Sequence, residues 1–190
     1  MMTFHKQEIR DIILATAVLA FAFGHSSVEN FLTSLFVVGV AFLSHELIGH
    51  KLVAQKFGAE AEFKAWPMGL LLAVVTSFFG FIFAAPGAVY ISPVIKGKFA
   101  FTLHRLTEKE YGIVSLAGPA VNIILGAVFF AAGIYYNIGL LLFAARISFF
   151  LALFNLLPID PLDGAKVMRW STLAWLVAIL FSGAGYLLLR

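Results

Sequence analysis

Two short stretches of this chain carry residue types that can do chemistry together. Ser44-His45-Glu46-Leu47-Ile48-Gly49-His50 sets two imidazoles and a carboxylate within one stretch of helix, and Asn155-Leu156-Leu157-Pro158-Ile159-Asp160-Pro161-Leu162-Asp163-Gly164 adds an amide and two further carboxylates. Two histidines and a carboxylate make a three-ligand zinc site with one open position, which binds a water and lowers its pKa to about 7. A further carboxylate beside that water acts as general base. The competing reading is a polar seam, in which these groups only pair with one another between helices. A lone intramembrane histidine favours the seam. His45, Glu46 and His50 on one helix, with Asp163 across the fold, favour the metal.

The elements that must position these groups are apolar. Of 190 residues, 62% are hydrophobic and 12% charged, far from the roughly 45–50% and 25% of soluble domains. A core of this size cannot hide so much apolar surface from water, so the expected solvent is the lipid bilayer. There are no cysteines, which excludes thiol catalysis, disulfides and thiolate metal ligation. The net charge of +3 is modest, its basic residues lie between apolar segments, and nothing points to nucleic acid. The length suits a single membrane-embedded domain over residues 1–190.

Spans are expected at Ile12–Phe23, Phe31–Phe57, Pro67–Pro86, Tyr111–Tyr136, Ile138–Leu157 and Val167–Leu189. The first resembles a signal peptide in its basic lead, but Glu8 and Asp11 dilute that lead and a retained helix is expected. Lys6 and Arg10 place the N-terminus in the cytoplasm, since Gly24–Asn30 has no basic residue. Lys56 and Lys64 then mark the cytoplasmic return, as do Lys96, Lys98, Arg105 and Lys109 after the third segment. If Pro67–Pro86 crossed once, those four charges would lie outside, so a re-entrant loop or tight hairpin is expected there. Gly69, Gly80, Pro86 and Gly87 punctuate it, and Thr76 and Ser77 can bond freed backbone groups. The fold class expected is an all-α polytopic protein of the cell membrane with five crossings and a re-entrant segment, or six crossings. With five crossings and the re-entrant segment, both polar clusters fall on the cytoplasmic side.

His45-Glu46-Leu47 near Gly49-His50-Lys51-Leu52-Val53-Ala54, then Ser115-Leu116-Ala117-Gly118-Pro119-Ala120-Val121-Asn122, then Phe154-Asn155-Leu156-Leu157-Pro158 leading into Pro161-Leu162-Asp163-Gly164, resemble the site-2 family of intramembrane zinc proteases. The order is most similar to its compact archaeal members, and the likeness runs from about Ala41 to Arg169. The resemblance implies an endopeptidase that cuts transmembrane helices of membrane-protein substrates near the cytoplasmic face. It implies Zn2+ on His45, His50 and Asp163, Glu46 as general base, and Asn155 polarising the scissile carbonyl. Gly118 and Asn122 correspond to close-packing positions, as in any small-residue helix seam. Gly87–Ile91 resembles the family's extended edge strand, on which an unwound substrate adds as a strand.

The chain departs from the family in one spacing. The family motif is His-Glu-x-x-His, whose histidines are four apart and lie about 40° apart around an α-helix. Here His45 and His50 are five apart, which is about 140° on a regular helix. Three resolutions are open. A π-bulge restores the shared face, with Gly49 making the backbone pliable. Alternatively Glu46 and His50, four apart, hold the metal and no base remains. Or the site has lost its metal, leaving a pseudoprotease that binds client membrane helices. Asp160 is a second departure; with Pro161 it suits the start of a helix and competes with Asp163 as a ligand. Asp163 is preferred for its Leu-Asp-Gly match.

The remaining polar residues read blandly. His5, His25 and His104 suit the surface, and Trp66, Trp170 and Tyr111 suit the membrane interface. Arg146, mid-span, either snorkels, pairs with a carboxylate across the bundle, or marks a misplaced boundary. A metal or proton transporter is the rival from another class. Such proteins often show two related halves, and the His-Glu cluster has no counterpart in the second half.

Overall fold

The structure is a computed structural model that describes residues 4–92, 95–96, 101–102 and 106–189. Lys98, His104 and Arg105 lie outside the described residues. The chain is mostly helical. Helix α1 (Lys6–Gly24) buries Ile12, Ala15, Leu19 and Ala22, the spacing of a single apolar stripe. It packs antiparallel to α2 (Val28–Leu43), which Ser27 caps by accepting from the Asn30 amide at 3.1 Å. The chain then continues through a π-helical turn (Ser44–Lys51) into α3 (Leu52–Lys56), a continuous helix from Val28 to Lys56.

Strand β1 (Ala61–Ala65) follows and pairs antiparallel with β2 (Gly87–Ile91), Ala61 opposite Ile91 and Ala65 opposite Gly87. Between them α4 (Pro67–Ser77) leads away and an extended segment leads back, so that the Trp66 amide donates to the Pro86 carbonyl at 2.8 Å. The two ends of Pro67–Pro86 therefore lie side by side, as a hairpin. Thr76 holds the return, donating to Leu72 O at 2.7 Å and accepting from the Phe83 amide at 3.0 Å. A second short ladder joins β3 (Ile95–Lys96) to β4 (Phe101–Thr102).

Helix α5 (Glu108–Tyr136) opens on a capping box, Thr107 and Glu110 each bonding the other's backbone amide, and closes on Asn137 in the left-handed region at φ 53°. It packs on α6 (Gly139–Asn155), on the π turn and on α7 (Asp163–Trp170). The core between α1, α2, α6 and the hairpin is filled by Leu19, Val38, Phe42, Phe63, Leu151 and Phe154.

Among the described residues, Val28–Lys56 and Glu108–Tyr136 are long and apolar enough to cross a membrane, while Pro67–Ser77, Gly139–Asn155 and Thr172–Leu188 are shorter apolar helices. The expected span Val167–Leu189 is broken in two. Ser171 leaves the helical conformation at φ −153°, ψ 102° and its hydroxyl accepts from the Ala174 amide, which ends α7 and starts α8 (Thr172–Leu188). Neither Asp160 nor Pro161 starts a helix: Leu162 is the N-cap of α7, and its first residue is Asp163. Arg146 is exposed on α6 and stacks on the Tyr186 ring, 5.6 Å from its centroid.

Candidate metal centre

The helix carries a π turn where the spacing of five residues left three resolutions open. In a helix bonded from residue i to i+5, side chains five apart return to one face, and the Leu52 amide bonds the Leu47 carbonyl in that way. His45 and His50 consequently face the same point, with ring centroids 4.6 Å apart. The turn lies tightly on α5, and a Cβ at Gly49 would collide with the Gly118 backbone. Gly118 in turn leaves room for the imidazoles, because a Cβ there would fall on His50 Nε2 and His45 Nε2.

Each ring is oriented through its far nitrogen by α5. His50 Nδ1 lies 2.8 Å from the Val114 carbonyl, a pure acceptor, so Nδ1 carries a proton and Nε2 is the nitrogen turned to the centre. The Asn122 amide faces His45 Nδ1 at 3.1 Å through its nitrogen, while its buried Oδ1 meets no donor among the described residues. Turned half a revolution about its last bond, the same amide accepts from a His45 Nδ1–H, satisfies that oxygen and leaves His45 Nε2 as the nitrogen turned to the centre. The two Nε2 atoms so presented lie 3.0 Å apart, close enough for one cation to be held by both.

The cation's third partner is present. Asp163 Oδ2 lies 3.1 Å from His50 Nε2 and 3.5 Å from His45 Nε2. The three atoms form a triangle of edges 3.0, 3.1 and 3.5 Å. Tetrahedral coordination with bonds of about 2.0–2.1 Å requires edges of about 3.3 Å, so the donor set fits zinc in both element and size. Burial works to raise the Asp163 carboxyl, and the adjacent His50 and His45 outweigh it, holding the group ionised below the usual carboxylate range. Its other oxygen faces Lys166 Nζ at 3.8 Å. Gly164 lets the start of α7 come this close, since a Cβ there would strike the Leu156 carbonyl.

A cleft of about 360 Å³ opens beside the triad, walled by β2 and by Tyr111, and Glu46, Asn155 and Lys166 line it with His50 and Asp163. Glu46 Oε2 is buried and meets no hydrogen-bond donor among the described residues, an acceptor held in reserve at the cleft wall. Asn155 spends one amide hydrogen on the Leu151 carbonyl at 2.9 Å and keeps a second.

The structure thus brings together His45, His50 and Asp163, with Glu46 and Asn155 lining the same cleft. Asp160 is not among them. It is exposed and held in a two-bond pair by Arg169, both contacts at 3.1 Å, so it does not compete for the ion. Asn122 is the orienting residue that packing arguments overlook. The signal for it was its place four residues beyond Gly118, on the helix face that the imidazoles occupy.

Comparison with known proteins points to the same class of chemistry. The pattern of peptidase family M50 matches residues 136–180. A curated protein of Methanocaldococcus jannaschii, provisionally named a zinc metalloprotease, is 40% identical over 182 residues, covering 92% of this chain and 90% of its own length. A Bacillus subtilis protein of the same provisional name is 31% identical over 145 residues, 68% of this chain and 64% of its own length. No solved structure matches the chain. On the extent of the first relative, together with a metal-ligand triad set on the π turn and α7, the chain belongs to peptidase family M50, the site-2 protease family.

Proposed function

We propose that this protein is an intramembrane zinc endopeptidase that hydrolyses peptide bonds of transmembrane substrate helices near the cytoplasmic face. The observation that carries the proposal is the convergence of two imidazole Nε2 atoms and a carboxylate oxygen on one point, beside a buried glutamate oxygen with no hydrogen-bond donor among the described residues and at the wall of a cleft. Zinc held by His45, His50 and Asp163 would supply Lewis acidity toward a carbonyl and make water acidic at neutral pH.

The chain's own residues do the rest. The outer edge of β2 accepts an unwound stretch of substrate as an added strand and lays its backbone along the cleft. Unwinding comes first, because the amides of a helix are already bonded to one another. Glu46 takes the proton of the attacking water on Oε2 as the oxygen bonds to the carbonyl carbon. It returns that proton to the amide nitrogen as the C–N bond breaks. The free amide hydrogen of Asn155 donates to the carbonyl oxygen as its charge grows. In the bilayer, α1, the helix Val28–Lys56, α5, α6 and α8 cross, with the N-terminus cytoplasmic. The hairpin Pro67–Pro86 enters and returns on one side, which its adjoining ends support. The π register supports an active centre over an inert one, and the sequence carries no second His-Glu cluster of the kind a two-halved transporter would show.

The test is cleavage of a panel of transmembrane peptides by the detergent-purified protein. Cleavage that Glu46→Gln reduces by about 10²–10⁴-fold is expected. Cleavage that survives Glu46→Gln at the wild-type rate would refute the assignment of the base, and absence of cleavage across the panel would count against the protease.

A further inference from the structure

Outside the cleft, one charged cluster has no part in the chemistry above. Glu8 of α1 and Lys51 of the π turn have no exposed side-chain surface, and Lys51 Nζ lies 2.6 Å from both carboxylate oxygens. Glu8 Oε1 also accepts from the Phe63 amide of β1 at 3.0 Å. One turn further along α1, Asp11 accepts from the Ala65 amide at 3.1 Å. A single carboxylate thus gathers α1, the π turn and the strand whose partner, β2, walls the cleft.

Lys51 directly follows the ligand His50. The two neighbours anchor the end of the π turn on different elements, His50 on the Val114 carbonyl of α5 and Lys51 on Glu8 of α1. A π turn is a rare conformation that survives where its surroundings over-determine it. Relaxation to the α register would swing the residues after the extra position by about 100° relative to those before it. His50 would leave the ion, and Lys51 would leave Glu8, stranding two buried charges. Buried ion pairs add little stability over apolar packing, and their best-attested use is to fix register.

We infer that Glu8 is a positioning residue for the metal centre: by holding Lys51 and the Phe63 amide on one buried carboxylate, it fixes the π register in which His45 and His50 face one ion. The inference rests on the metal reading proposed above. An extra residue absorbed as a π turn leaves its flanks in phase, so deleting Ile48 recreates a spacing of four and an α register that needs no such anchor.

The experiment titrates the full-length detergent-purified protein with Co2+, following its visible absorption for affinity and coordination and circular dichroism for helix content. Four chains are compared: wild type, Glu8→Gln, the Ile48 deletion, and the deletion carrying Glu8→Gln. In the wild-type background Glu8→Gln is expected to weaken Co2+ binding by about 10–100-fold and shift the absorption, with helix content kept. In the deleted background the same substitution is expected to change affinity by less than about twofold. Equal weakening in both backgrounds, or none in either, would overturn the inference. If Glu8→Gln does not fold, the pair Glu8→Leu with Lys51→Met removes both charges at similar volume. Weak Co2+ binding with an altered spectrum is then expected, and tight binding with the wild-type spectrum overturns the inference. Failure of the wild type itself to bind Co2+ is a different result, which refutes the metal reading and this inference with it.

Discussion

Which nitrogen of each imidazole carries a proton decides what the centre can hold. The Val114 carbonyl fixes that choice for His50 through the backbone, beyond the reach of a side-chain substitution. For His45 the side chain set against Nδ1 is the Asn122 amide. Asn122→Ala is therefore expected to weaken zinc binding by about 10–100-fold, whereas Asn122→Asp, which keeps an acceptor at that place, retains most of it; competition against a chelator of known affinity measures both. The two aspartates of Asp160-Pro161-Leu162-Asp163 divide in the same way. Asp163→Asn should lose the metal, and Asp160→Asn, which breaks only an exposed pair with Arg169, should bind it as the wild type does. The residue types and the Leu-Asp-Gly match were enough to prefer Asp163. They were not enough to find Asn122, because a lone asparagine beside small residues reads the same whether it packs or orients a ring.

The decisive element is the π turn, and the sequence defined the problem without solving it. Residues five apart either share a face or do not, depending on whether the helix is bonded i to i+5, and that choice is made by contacts far away in the chain. Gly49 on the Gly118 backbone and Lys51 on Glu8 are such contacts. The close approach yields a prediction of its own. Gly118→Ala, a change that favours helix in isolation, places a methyl group on both Nε2 atoms and is expected to abolish metal binding while circular dichroism stays unchanged. Retained metal in that variant would mean that α5 stands further from the ligands than described. Strand β1 escaped detection for a related reason: five residues of Ala61-Glu62-Phe63-Lys64-Ala65 alternate too briefly to signal a strand, and only pairing with β2 defines them. The break at Ser171 was hidden by the apolar residues on both of its sides, although a serine that caps a helix is a local signal.

Across the whole molecule, apolar composition made the helical class legible, and the basic residues between segments suggested one side for both polar clusters. The number of crossings was less accessible, because Pro67–Pro86 is long and apolar enough to span, and the bond from Trp66 to Pro86 with the β1–β2 ladder shows its ends together. The proposed topology puts Lys6 and Asp160 on one side and Asn137 on the other. With no cysteine in the chain, single cysteines at those positions can be labelled by an impermeant maleimide in sealed vesicles. Positions 6 and 160 should label together and 137 from the opposite face; common labelling of all three would contradict the topology. The most direct test of the metal centre is the metal content of the purified protein beside His50→Ala and Glu46→Gln. About one zinc per chain, lost in His50→Ala and kept in Glu46→Gln, is the result predicted. Zinc retained by His50→Ala, or absent from the wild type, would contradict it.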